Sequence, residues 1–203
     1  MSHRFQLCLV FTFLFSICNV GAVVYKIDSE HSNVSFSIRY LVSNTGGNFH
    51  AFSGEIVYDV ENPEKIQIRA TIQANSIDTD NVKRDGHLRS DDFLNVEKYP
   101  IITFRSSKAE LVEDAVSVGG LKEDILRVEG EFTMHGVSKI IKLPVRFLGK
   151  GVHPYKQKQV IGFSADTVIQ RSDYGVNNWP DKAGVLSDAV DVQLTIQAVQ
   201  TSE

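Results

Sequence analysis

Cysteine is confined to the first two dozen residues, where Cys8 and Cys18 are the only two in the chain. A mature protein starting after residue 22 would have none, which excludes disulfides, thiol catalysis and thiolate metal sites. Blocks of basic residues are absent too, so a nucleic-acid partner is not expected. Apart from the N-terminal run, no stretch has the length of about 20 apolar residues that a spanning helix needs. The motifs that carry common enzyme chemistry are also missing: there is no G-x-S-x-G elbow, no H-E-x-x-H pair and no phosphate-binding loop. His31, His50, His87, His135 and His153 are scattered without ligand spacing, so no metal and no cofactor are expected. Asp78-Thr79-Asp80 starts like a calcium loop, but Lys83 stands where that loop needs Gly.

What is present begins with Arg4 ahead of an apolar run from Phe5 to Ile17, followed by Val20-Gly21-Ala22. A positive start, a short apolar core and small residues at the end make a secretory signal peptide. Residues 1–22 are therefore expected to be removed, leaving one domain over residues 23–203, periplasmic or secreted. Loss of Arg4 takes the net charge from −4 to −5. About 180 residues suffice to bury a core without covalent cross-links.

The remaining chain alternates between apolar and polar residues. Val34, Phe36, Ile38 and Tyr40 are separated by polar residues, and the same period recurs at Phe52–Val60, Ile66–Ala74, Ile102–Phe104, Leu126–Phe132, Ile141–Phe147, Ile161–Ala165 and Val190–Ile196. A period of two is a strand with one buried and one wet face. About eight such strands with turn residues between them predict an all-β sandwich or barrel. His135-Gly136-Val137-Ser138 reads as a hairpin. Gly54, Gly130 and Gly162 fall inside strand patterns, where they either bend the sheet or leave space. Asp80–Phe93 breaks the alternation and predicts one short helix, with Thr79 or Asp80 as its cap. Ser172–Ser187 reads as a long loop. His31 and Ser32, being adjacent on a strand, face opposite ways and cannot act as a catalytic pair.

Several motifs stand together in order: Asp28-x-x-His31-Ser32, Gly47-x-Phe49-x-x-Phe52-x-Gly54, Arg84-Asp85-x-His87-Leu88-x-Ser90-x-Asp92-Phe93, Gly130-x-Phe132-Thr133-x-His135-Gly136-Val137-x-Lys139 and Arg171-x-Asp173-Tyr174-Gly175. As a set, running from about Tyr25 to Ala198, they resemble the YceI-like family of lipocalin-like periplasmic proteins. Tyr174-Gly175-Val176 departs conservatively from that family's Phe-Gly-Ile/Leu. The resemblance implies an eight-stranded antiparallel barrel with one short helix outside it. It also implies a bound long amphiphile, such as a polyisoprenoid, an isoprenoid quinone or a fatty amide, and a stress-related transport or storage role. A homodimer is compatible with it.

Given an apolar lumen, Val34, Phe36, Ile38, Phe104, Phe132, Phe147 and Phe163 are the expected lining residues, because they share the apolar phase of their strands. The alternative is that they simply fill the core. At the mouth, Arg171, Asp173, Tyr174, Trp179 and His87 are the head-group candidates: Arg for an anionic or carbonyl oxygen, Trp as an amphipathic lid. The competing expectation is that Arg171 and Asp173 form an ion pair fixing the loop. For Arg84 and Asp85 the expectation is that they orient the helix. An enzyme acting on a lipid at the mouth and a structural protein without ligand remain as further alternatives.

Overall fold

A computed structural model describes residues 21–116, 122–178 and 184–201. The expected leader and Trp179 lie outside the described residues. The strands are β1 (Val23–Ile27), β2 (Asn33–Tyr40), β3 (Ser43–Phe49), β4 (Phe52–Tyr58), β5 (Gln67–Gln73), β6 (Ile77–Asp78), β7 (Ile101–Val116), β8 (Lys122–Met134), β9 (Val137–Val152), β10 (Gln159–Gln170) and β11 (Leu186–Gln200). The single α-helix among the described residues is α1 (Val82–Arg89). All pairings are antiparallel, and β1 pairs with both β4 and β11, which closes the sheet on itself.

Eleven strands build an eight-stranded barrel because three of its staves are interrupted. β1 and β2 follow one another along the same edge of β11, with Ile27 opposite Ala198 and Asn33 opposite Thr195. A short 3-10 turn, Ser29–His31, breaks the ladder between them. The side chain of Ser32 mends it: its hydroxyl donates to the Gln197 carbonyl at 3.2 Å and accepts from the Gln197 amide at 2.9 Å. His31 meanwhile bonds Asp28 at 2.9 Å. Both residues thus take part in the strand break. β3 and β4 form the second interrupted stave, β5 and β6 the third.

Two apolar clusters occupy the barrel. The lower one centres on Ile56, Phe104, Val128, Val145 and Phe163, and the upper one on Ile77, Phe93, Leu94, Tyr174 and Val176. At the lower end three rings converge: Tyr58 lies 5.3 Å from Phe147 and 5.1 Å from Phe163, and Phe147 lies 5.5 Å from Phe163. Such tilted and edge-on contacts are the favoured aromatic geometries.

The in-strand glycines serve both curvature and close approach. Gly162 sits where the β9–β10 register slips, a bulge that bends the strand. At Gly130 an added Cβ would lie 2.5 Å from the Arg105 carbonyl oxygen and 2.7 Å from the Phe104 ring. Phe104 lies over the bare backbone, so this glycine creates no void. Gly130→Ala is expected to lower stability by about 1–3 kcal/mol, the usual cost of overpacking, measured as a shift of the urea midpoint at unchanged slope.

The β8–β9 hairpin starts one turn tighter than the sequence pattern suggests. Met134 pairs directly with Val137, and the two loop residues have φ 51 (His135) and φ 75 (Gly136). Two positive φ values make a type I′ turn, whose twist matches that of the strands.

Candidate functional site: an apolar cavity inside the barrel

Between the two clusters lies a cavity of about 520 Å³. Its walls come from the inward faces of nearly every stave, because side chains two apart on a strand share a face. Six of the seven expected lumen residues line it: Val34, Phe36, Ile38, Phe104, Phe132 and Phe163. Phe147 does not. It shares the apolar phase but packs on Tyr58 and Phe163 in the aromatic floor. Phe49 and Met134 also line the cavity. Met134 continues the period-two series Leu126, Val128, Gly130, Phe132, so an unbroken extension of that count finds it. Phe49 ends β3, whose Ser-Asn-Thr-Gly-Gly-Asn run carries no apolar alternation.

The helix α1 brings two polar groups, Arg84 and His87, to the same space, and Leu88 lines it beside them. Its cap is Asn81, not Thr79 or Asp80: the Asn81 side chain accepts from the Arg84 amide at 3.1 Å. Asp80 lies one residue too early, with φ 58. Thr79 is buried and otherwise engaged. Its amide and hydroxyl both donate to Asp85, at 2.9 and 2.6 Å, while Arg84 donates to its hydroxyl and carbonyl oxygens at 2.7 and 2.6 Å. Arg89 adds bonds to the carbonyls of Asn75 and Ile77. Arg84 and Asp85 therefore fasten the helix to the end of β6. His87 reaches Asp92 at 2.8 Å and sets its ring edge-on to Phe93 at 4.9 Å.

On the opposite segment, Arg171 lines the cavity, whereas Asp173 and Tyr174 do not. The expected ion pair between Arg171 and Asp173 is not formed. Arg171 donates to the Ser187 carbonyl at 2.9 Å and to the Val176 carbonyl at 2.7 Å, and Asp173 pairs with Lys139 on β9. The 3-10 turn Arg171–Tyr174 points these neighbours in different directions. Tyr174 is 2% exposed and stands behind the cavity wall, edge-on to Phe132 at 5.4 Å. Burial pushes its phenol above the ordinary value, and the Asp173 charge adds to that. His135 donates from Nδ1 to the Tyr174 carbonyl at 3.0 Å, tying the turn to the β8–β9 hairpin. Ser172 donates twice to Asp188, at 2.8 and 2.5 Å. Burial pulls the Asp188 carboxyl upward, but these bonds and the Arg171 charge outweigh it and hold the group below the usual carboxylate range.

The charge around the cavity is one-sided. Arg84 and Arg171 line it, and no Asp or Glu does among the described residues. Their known bonds go to hydroxyl and carbonyl oxygens, and the carboxylates that act on them stand outside the lining: Asp188 for Arg171, and Asp85 for Arg84 through the shared Thr79 hydroxyl. No helix among the described residues is long and apolar enough to cross a membrane.

A YceI-like domain model matches residues 25–198. Protein YceI of Salmonella agona is 35% identical over 199 residues, covering 95% of this chain and 96% of its own. The structure of BcnA from Burkholderia cenocepacia has a TM-score of 0.71 at 22% identity, covering 84% of this chain and 98% of that one. A polyisoprenoid-binding domain from Saccharophagus degradans, implicated in plant cell wall breakdown, has a TM-score of 0.62 at 17% identity and covers 88% and 99%.

Proposed function

This chain belongs to the YceI-like family, and we propose that it is an exported binding protein that holds a long apolar amphiphile inside its barrel. The observation that carries this reading is the apolar cavity inside the barrel. At about 520 Å³ it falls within the ordinary range of small-molecule sites, roughly 300–1,000 Å³. Each CH₂ moved from water into such a tube gains about 0.8 kcal/mol, so a prenyl or fatty chain needs no specific hydrogen bonds along its length. The Saccharophagus domain, named for binding a polyisoprenoid, shares this fold.

The lining residues Val34, Phe36, Ile38, Phe104, Phe132 and Phe163 would grip the chain. Arg84, Arg171 and His87 would take the head group. The two guanidinium groups, on a lining with no Asp or Glu among the described residues, favour an oxygen acceptor: a phosphate, a quinone carbonyl or an amide carbonyl. Periplasmic or secreted placement and a role in stress-related transport or storage complete the reading. The reading is one of binding without turnover, supported by a site of apolar walls and two guanidinium groups. Incubation with lipid esters and amides should therefore return them unchanged.

The direct test is organic extraction of the protein purified from its native cells, followed by mass spectrometry. A prenyl chain, quinone or fatty amide at one copy per barrel is the expected result. Reloading the extracted protein should raise its stability by about 2.7 kcal/mol at a hundredfold excess of lipid over its Kd. Extracts empty of lipid, with no stabilisation by added lipids, would overturn the proposal.

A further inference from the structure

We propose that the β2–β3 hairpin tip is a membrane-docking element that seats the cavity on a lipid bilayer surface. This rests on the lipid-binding reading above. Tyr40 pairs with Ser43, so Leu41 and Val42 form a two-residue loop. Leu41 has φ 52. A two-residue loop whose first residue has positive φ is a primed turn, where Gly, Asn or Asp is the usual occupant. A leucine there is strained by its Cβ, and strain of this kind persists where function requires the residue.

The two side chains gain little from the fold in return. Val42 is 96% exposed and Leu41 52% exposed. A polar turn would serve the hairpin better and keep the surface wet. The tip is nonetheless held firmly. The Leu41 amide donates to the Val185 carbonyl at 2.8 Å, and Arg39 Nε donates to the Leu41 carbonyl at 3.0 Å. Backbone groups satisfied in this way can enter an apolar phase, where unsatisfied ones cannot.

Position makes the bilayer the occupant. Tyr40, the last residue of β2, lines the cavity while remaining 40% exposed. The cavity lining therefore reaches Tyr40, whose chain neighbours Leu41 and Val42 form the exposed tip. On the lipid-binding reading a molecule that fills the cavity is itself a bilayer resident, and a tip seated in the bilayer would bring the Tyr40 side of the cavity next to its source. Tyrosine beside aliphatic residues, with Arg39 adjacent, is the composition of a membrane-interface anchor.

The test uses Leu41→Gly combined with Val42→Asn, which installs favourable turn chemistry and leaves Tyr40 in place. Two quantities are measured on the purified protein: partition onto vesicles of phosphatidylethanolamine with phosphatidylglycerol, and loading of a long-chain polyprenol from detergent. The expected result is a melting temperature unchanged or raised, polyprenol loading unchanged and vesicle partition reduced about tenfold. Equal partition by both proteins, or none by the parent, overturns the docking proposal. So does a loss of self-association, seen by light scattering, in place of a loss of vesicle binding, because the tip would then cover a second copy. Failure of both proteins to load polyprenol, or any other lipid, would count instead against the lipid-binding reading, and docking would fall with it.

Discussion

Ala165→Trp is expected to abolish lipid loading while the barrel still closes. Ala165 is 3% exposed, lines the cavity, and is flanked in register by Val145 on β9 and Leu194 on β11. An indole at this position has the cavity to enter, and it would occupy the path between the aromatic floor and the polar groups of α1. Loss of even four CH₂ contacts would weaken binding by about 3 kcal/mol, more than a hundredfold in Kd. Overpacking costs of about 1–3 kcal/mol are normal in a filled core. They should be smaller here, because the new side chain meets space on one side. Titration of the extracted protein with a polyprenol, alongside thermal unfolding, checks both parts. Retained affinity with a normal melting temperature would show that the chain binds elsewhere. Ala70→Phe, from the β5 side of the same cavity, provides an independent second obstruction.

Tyr174→Ala is expected to cause the largest loss of stability among single substitutions at the upper end. Tyr174 is among the largest fully buried side chains and packs edge-on to Phe132, which forms cavity wall on its other side. Removing an aromatic ring from such a site costs about 3–5 kcal/mol. For a domain of this size that lowers the melting temperature by roughly 6–20 °C. The effect should reach the site as well. The Arg171–Tyr174 turn positions Arg171, and without the ring behind it Phe132 can tilt away from the cavity. Lipid affinity should therefore fall along with stability. Tyr174→Phe should keep nearly all of both, since it retains the ring that packs edge-on to Phe132. Calorimetry of the three proteins separates the contributions.

Neither residue's role can be read from its neighbours in sequence alone. Tyr174 stands in a polar segment, Arg171-Ser172-Asp173, and invites a reading as a mouth residue. Its burial becomes visible only once β8 and the turn after β10 are brought together. Asp173, one position earlier, faces Lys139 at the surface. Phe147 and Phe163 show the same limit from inside the barrel. They are partners across β9 and β10 and have the same apolar phase, yet only Phe163 reaches the cavity. Alternation reports which face of a strand is buried. It carries no information about height along the barrel axis or about what stands across the lumen.

The sequence by itself determined the all-β class of the fold, while closure into a barrel followed only from the family resemblance and is seen in the pairing of β1 with β11. Period-two alternation in eight segments demands a sheet with one dry face, and a barrel segment with no cysteine after Cys18 must bury that face by packing alone. The ordered motifs from Tyr25 to Ala198 were sufficient for the family. Tertiary structure alone decided the rest: that three staves are interrupted, that β3 pairs despite lacking apolar alternation, that the lumen keeps about 520 Å³ open, and that Arg84 on α1 and Arg171 after β10 meet it from segments far apart in the chain. These are consequences of register and curvature. Both are sums over many weak pairings, which no short window of sequence contains.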